Sequence, residues 1–199
     1  MTIGIIGAGA IGSAVAEILS RADIDVIVSN SRGPDTLADL ARRLGSHVRA
    51  GTREQAAAQD IVFVAVNWSK IPRALAGLPD WNGRIVIDTN NSIEAPSFQP
   101  FELHGKTSSE VFADLVPGAR VVKAFGHLTP DLLTAAPAAR GGRRVLFLSG
   151  DDPEARRTVQ ALIHRLGFFS LDLGPLAVGS RLLQFPGGPL PSHHLVKIG

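Results

Sequence analysis

The chain begins with a strand, a glycine-spaced turn and a helix. Ile3–Ile6 is apolar and β-branched. Gly7-Ala8-Gly9-Ala10-Ile11-Gly12 follows, and Ile11–Ser20 repeats apolar residues at helical spacing. This order constrains the fold more than any other feature. A G-x-G-x-x-G run alone is a weak signal, but between a buried strand and a helix it specifies the first βα turn of a dinucleotide-binding unit. Gly7 permits the tight turn, Gly9 lets the backbone approach a pyrophosphate with no Cβ in the way, and Gly12 lets helix and strand pack closely. Amide groups at the helix N-terminus then face the phosphates. Gly7, Gly9, Ala10, Ile11 and Gly12 are therefore candidate dinucleotide contacts.

The rest of the chain alternates in the same way. Strand-like runs occur at Val26–Ser29, His47–Ala50, Ile61–Val66, Arg84–Asp88, Arg120–Ala124, Arg144–Ser149 and Phe168–Leu173. Several are apolar on both faces, as in strands covered by helices on both sides of a parallel sheet. Helical patterns run over Pro34–Leu44, Ser108–Leu115 and Pro153–Leu166. The last starts at Asp151-Asp152-Pro153-Glu154, with an acid to cap it and Pro in its first turn, and Gly167 stops it. The expected fold is α/β: a doubly wound, mostly parallel Rossmann-like sheet of about eight strands with helices on both faces. One dinucleotide-binding domain over 1–199 is expected. Its tail, 174–199, is rich in Pro and Gly and carries one short helical stretch near Leu176–Leu183.

Composition narrows the function classes. With 199 residues, 45% apolar and 19% charged, and a net charge of +2, the chain has no polycationic surface for nucleic acid. It has no Cys, which excludes disulfides and thiolate metal sites, and a cytoplasmic location is expected. No apolar run reaches membrane-spanning length, and the N-terminus reads as a buried strand and not as a signal peptide. No metal site is expected: the His193-His194 pair in the tail reads as solvated.

In this fold the second strand ends beside the adenosine ribose. A carboxylate there binds the 2′-hydroxyl of NAD, whereas an Arg accommodates the 2′-phosphate of NADP. The chain reads Ser29-Asn30-Ser31-Arg32 at that place, and Asp23 and Asp25 come too early, at the wrong end of the strand. Asn30, Ser31 and Arg32 therefore point to NADP(H).

Ligands of such sheets bind beyond the carboxyl ends of the strands. The candidates there are Val66, Asn67, Trp68 and Lys70 after one strand, Thr89 and Asn90 (with Asn91) after the next, and Ala124 and Phe125 after a third. Trp68 and Phe125 offer flat apolar surface for a nicotinamide, and the Asn and Thr side chains offer polar groups for its carboxamide. His127 is the one histidine at a strand's carboxyl end and the candidate catalytic acid. There is no Tyr, so a Tyr-x-x-x-Lys reductase is excluded. A site so poor in acids and bases suits hydride transfer between two flat rings.

The glycine loop, "SNSRGP", "VPGARVVKAF", "GDDPEA" and "LGPLAVGSRLLQFPGGPL" together resemble the NADPH-dependent F420 oxidoreductase-like family, in order and over nearly the whole chain. The resemblance implies an NADP-dependent oxidoreductase. Hydride would pass between NADP(H) and a flat partner, with deazaflavin F420 first and a flavin second. It implies phosphate contacts at Ser31 and Arg32, and places Trp68, Asn90 and the loop after Lys123 near the nicotinamide. It also implies a homodimer acting on a small-molecule redox substrate, with no nucleic-acid or membrane partner. The same unit resembles the cytosolic domain of eukaryotic metalloreductases. Gly126-His127 and Asn67-Trp68 depart from the family's usual residues, on the side that faces the acceptor. Two other readings stand beside this one: reduction of a small imine or carbonyl with His127 as acid, and a non-catalytic NADP(H) sensor.

Overall fold

The computed structural model describes residues 2–94 and 97–199. In chain order they form β1 (Thr2–Ile6), α1 (Ala10–Arg21), β2 (Asp25–Ser29), α2 (Ala38–Leu44), β3 (Val48–Ala50), α3 (Arg53–Ala57), β4 (Ile61–Val64), α4 (Ile71–Leu75) and β5 (Ile85–Asp88). A small hairpin follows, β6 (Ile93–Glu94) with β7 (Gln99–Pro100). Then come α5 (Ser108–Asp114), β8 (Arg120–Ala124), α6 (Pro130–Thr134), β9 (Ala138–Ala139), β10 (Gly142–Gly150), α7 (Pro153–Arg165), β11 (Phe169–Asp172), α8 (Arg181–Leu183) and β12 (Val196–Ile198).

Eight strands form the main sheet in the order β11-β10-β8-β5-β4-β1-β2-β3. All neighbours are parallel except β8 and β10. Register follows the apolar runs: Ile5 lies beside Val28 on one side and Phe63 on the other, and Ile87 lies beside Val122. Because side chains alternate along a strand, each run feeds two cores. Ile3, Ile5, Phe63, Ile87 and Val122 pack under α1, α6 and α7. Ile6, Val62, Val64 and Val86 pack under α3, α4 and α5. That is why these strands carry so few polar residues.

From β1 the chain winds outward through β2 and β3, then returns to β4 on the other side of β1 and winds the opposite way. The reversal between β1 and β4 opens a crevice at the strands' carboxyl ends, where such folds bind ligands.

Some boundaries differ from the sequence expectation. The Pro34–Leu44 pattern splits into a 3₁₀ turn over Pro34–Leu37 and the helix α2. Three five-residue helices, α3, α4 and α6, were too short for periodicity to reveal. The α7 start is as expected: Asp152 accepts the Ala155 amide at 2.6 Å, and Gly167 takes φ +86° after the last turn. The C-terminal segment lies on the body of the chain itself. Leu176 is buried in the second core, Gln184 Oε1 accepts the Ser108 amide at 2.9 Å, and β12 pairs with β10.

Candidate dinucleotide site

A cavity of about 1160 Å³ lies over the crevice. That is larger than the roughly 300–1,000 Å³ of an ordinary small-ligand pocket. Its floor is the glycine turn. Gly7 holds φ +110°, and a Cβ there would meet the Ala65 carbonyl oxygen at 2.1 Å. A Cβ on Gly12 would meet the Gly7 carbonyl oxygen at 1.9 Å, so α1 leaves the turn in direct backbone contact with it. Gly9 is the opposite case: a Cβ there would meet nothing within 4 Å. It caps α1 without a side-chain bond, and no acid sits in the helix's first turn. The amides at this end therefore face the cavity with the positive end of the helix dipole behind them, an arrangement that suits a pyrophosphate.

The second loop is built by Asn30. Its Oδ1 accepts the Arg32 amide and its Nδ2 donates to Thr36 Oγ1, both at 2.9 Å. This closed turn leaves Ser31 and Arg32 exposed on the cavity wall. Among the described residues no acceptor meets the Arg32 guanidinium. Ser29 turns the other way: it is buried, and its hydroxyl donates to Ile5 O at 3.0 Å. Asp25 lies at the far end of β2, bonded to His47 at 2.9 Å. Four cations line the cavity among the described residues, Arg32, Arg53, Lys70 and Arg73, and no carboxylate or imidazole does. Arg53 and Arg73 escaped sequence reading. The Thr52-x-x-Gln55 capping box was the available signal for the first, since it marks a helix starting just past β3. Nothing local marked the second.

Gly7, Gly9, Ala10, Ile11, Asn30, Ser31, Arg32, Val66, Asn67, Trp68, Lys70, Thr89 and Asn90 all line this one cavity, with Asn91 beside them. The polar groups divide unexpectedly. Asn90 spends its side chain inside the protein: Oδ1 accepts from Val66 N at 3.0 Å, and Nδ2 donates to Val64 O at 3.1 Å and Asp88 Oδ1 at 2.9 Å. Thr89 donates to Val64 O at 2.9 Å. These side chains staple the end of β5 to the end of β4. Asn91 differs. Its Nδ2 donates to Gly126 O at 3.1 Å, while its Oδ1 has no partner among the described residues. That oxygen is buried, so Asn91 leaves an unpaired acceptor behind the cavity wall and not on it.

Beneath the staple lies a buried ion pair that the sequence reading missed. Lys123 is 1% exposed; its Nζ donates to the Asn90 carbonyl and stands 3.5 Å from Asp88 Oδ2. Ser109 donates to the same carboxylate oxygen at 2.7 Å. Burial pushes the Lys123 ammonium below its ordinary pKa, and the Asp88 charge opposes that shift.

Four candidates are not in the cavity wall. Gly12 is buried against the Gly7 carbonyl, where it shapes the turn without facing the cavity. Ala124 and Phe125 are buried in the first core, where Phe125 meets Phe63 edge-on at 5.2 Å. Phe125 cannot also face a nicotinamide. His127 is 5% exposed, its Nε2 lies 3.3 Å from Val145 O, and its ring packs on Phe147 at 4.9 Å. It is a core histidine, not a cavity acid. The chain turns inward at Phe125, which holds φ +62°, and so carries the segment away from the crevice.

Burial, with a smaller push from Lys123, lowers the His127 pKa to about 4. The folded state therefore refuses a proton that the unfolded chain takes up below its ordinary value near 6.5. Unfolding binds that proton between the two values, so stability falls as pH falls through this window. Between pH 7 and pH 5 the loss is about 2 kcal/mol, from roughly 1.4 kcal/mol per unit. Urea unfolding at both pH values checks this: the drop is expected to shrink by that amount in His127→Gln.

The comparisons with known proteins agree with this geometry. Residues 2–92 match the family described as "NADP oxidoreductase coenzyme F420-dependent". A hypothetical protein from Sinorhizobium meliloti is 45% identical, with 99% of this chain and 96% of that chain covered and a TM-score of 0.93. A structure from Arthrobacter sp. FB24, provisionally titled an F420-dependent NADP-reductase, has 24% identity and a TM-score of 0.70, covering 92% of this chain and 90% of that one. Metalloreductase STEAP3 of Rattus norvegicus is 32% identical over 191 residues, 96% of this chain. The chain spans only 37% of that protein's length. Among the described residues no helix is long and apolar enough to cross a membrane. A glycine turn, an anion-ready helix end and a cation-lined wall in one crevice suit one kind of ligand, and over residues 2–92 the chain matches the F420-dependent NADP oxidoreductase family, as an NADP(H)-binding oxidoreductase domain.

Proposed function

We propose that this domain holds NADPH across the crevice and passes hydride to a flat conjugated ring, a deazaflavin first and a flavin second. When bound, the nicotinamide supplies two electrons and one hydrogen as hydride, and the acceptor takes one further proton from solvent. The α1 amides hold the pyrophosphate, Ser31 and Arg32 hold the 2′-phosphate, and the nicotinamide lies toward Trp68 and Asn91. Thr89 and Asn90 keep the two strand ends in register beneath it.

One observation carries the reading: a long cation-walled cavity lined, among the described residues, by no carboxylate and no imidazole. Transfer between rings needs alignment more than a protein acid. Reduction of an imine or carbonyl would more often need one, and His127 is turned into the core. The match to the F420-dependent NADP oxidoreductase family model and the likeness to the Arthrobacter protein support the same reading. Anaerobic NADPH oxidation against a deazaflavin, riboflavin phosphate and a simple quinone tests it. Turnover with the first two is expected. Tight NADPH binding without turnover on any acceptor would favour the sensor reading.

Arg32→Ala tests the nucleotide end separately. A charge-assisted hydrogen bond is worth roughly 1.5–3 kcal/mol, about one to two decades of affinity. NADPH binding is expected to weaken by that factor and NADH binding to stay within about threefold. An equal loss for both would refute the 2′-phosphate assignment.

A further inference from the structure

An exposed aromatic residue lines the cavity from the β6–β7 hairpin. Phe98 lines the same cavity as Gly9 and Asn90, yet it is 60% exposed. A single exposed Phe is ordinary; this one is held in place. It sits at the β6–β7 hairpin with φ +55°, a left-handed conformation that costs a non-glycine residue about 1–2 kcal/mol. Two backbone bonds fix that conformation: Phe98 N donates to Glu94 O at 2.7 Å, and Phe101 N to Ser92 O at 2.9 Å. Its ring meets Phe185 edge-on, with centroids 6.5 Å apart and planes at 87°. Phe185 is half-buried and follows Gln184, whose side chain is tied to the start of α5. The C-terminal segment thus braces the hairpin ring from the side and leaves a face open.

We propose that Phe98, braced by Phe185, is the stacking wall for the hydride acceptor, so that the hairpin selects planar conjugated heterocycles over small carbonyl or imine substrates. The inference rests on the hydride-transfer reading above and adds where the second ring lies. An aromatic face prefers an offset-stacked or edge-on partner with centroids several ångströms away. A ring lying on Phe98 would keep its other face free for the nicotinamide. The cavity, with about 1160 Å³, leaves room for a second ring beyond the dinucleotide. Arg32, Arg53, Lys70 and Arg73 supply the charge, so at the hairpin apolar surface can provide the selectivity.

The test uses riboflavin and its deazaflavin analogue as neutral ring probes, which the cations of the cavity do not attract. Probe fluorescence is titrated with the NADP⁺-saturated full chain. Phe98→Ala is expected to weaken ring binding about tenfold, the scale of base–aromatic stacking. Phe98→Leu is expected to weaken it similarly and Phe98→Trp to retain it. NADPH affinity should stay within twofold in all three, since the phosphates are assigned to the α1 end, Ser31 and Arg32 and not to the β6–β7 hairpin. Phe185→Leu, which removes only the brace, should cost about threefold. The inference is overturned if Phe98→Ala binds the probes unchanged, if it loses NADPH to the same degree, or if the unaltered protein binds neither ring. If the probes bind through Phe98 but NADPH reduces no acceptor, the hydride-transfer reading falls and the stacking wall stands.

Discussion

Gly9→Asp is expected to leave the protein folded and at least as stable, and to weaken NADPH and NADH binding alike by about two to four decades. Gly9 is the N-cap of α1, in extended backbone that any residue adopts, and its Cβ would meet nothing within 4 Å. Asp is among the best N-cap residues and gains about a few tenths of a kcal/mol over Gly at a helix start. Its carboxylate would bond the amides that the pyrophosphate needs. Two charge-assisted bonds of roughly 1.5–3 kcal/mol each would be lost, with like-charge repulsion added. Thermal unfolding and dinucleotide titration on one sample read both halves. A stable variant that still binds NADPH within tenfold would show that the phosphates lie elsewhere. Gly12→Ala is the contrast within the same motif. Its Cβ would sit 1.9 Å from the Gly7 carbonyl oxygen, so it should fail in folding before it fails in binding.

Lys123→Met should lower unfolding stability by about 3–5 kcal/mol, the scale for removing one partner of a buried ion pair. The residue left behind is the reason. Asp88 is fully buried, and without the ammonium its charge keeps only the Ser109 hydroxyl and the Asn90 amide groups. The Asn90 carbonyl loses its donor as well. Lys123→Met combined with Asp88→Asn removes both charges and keeps an acceptor for the Asn90 amide. It should recover more than half of the loss. Urea denaturation of both variants decides the matter; a single variant within about 1 kcal/mol of the unaltered protein would show that the pair is solvated and unimportant. Because the pair anchors the carbonyl of Asn90, whose side chain holds Val66, the double variant should also loosen NADPH binding by severalfold.

Much of the fold was legible in the chain. The strands of the main sheet announced themselves as runs apolar on both faces, and the glycine turn placed the first of them. The Arg32 loop was legible too, because the ribose end of this fold is reached by counting from the glycines. The short helices α3, α4 and α6 were not: five residues make too few turns to show a period. Nor was the hairpin carrying Phe98, whose two-residue strands have no alternation to read. At the third strand end the sequence was misleading. The strand-like run Arg120–Ala124 puts Phe125 just past its carboxyl end and suggests that Phe125 reaches the ligand. The left-handed turn at Phe125 instead puts it, and then His127, into the core.

Local chemistry thus settled which way the chain would wind and what charge its crevice would carry, because apolar period, glycine spacing and a missing carboxylate are all properties of neighbouring residues. Which polar groups stay free was decided by contacts between distant segments. The Asn90 side chain is spent only because β4 pairs with β5 and brings Val64 and Val66 to it, Lys123 reaches Asp88 only when β5 and β8 pair, and Asn91 Oδ1 is left buried without a partner among the described residues. Phe98 and Phe185 are separated by most of the second half of the chain and become neighbours only once the C-terminal segment has folded back. Hydrogen-bonding capacity can be counted from a sequence, but whether it is already spent depends on which strand lies alongside.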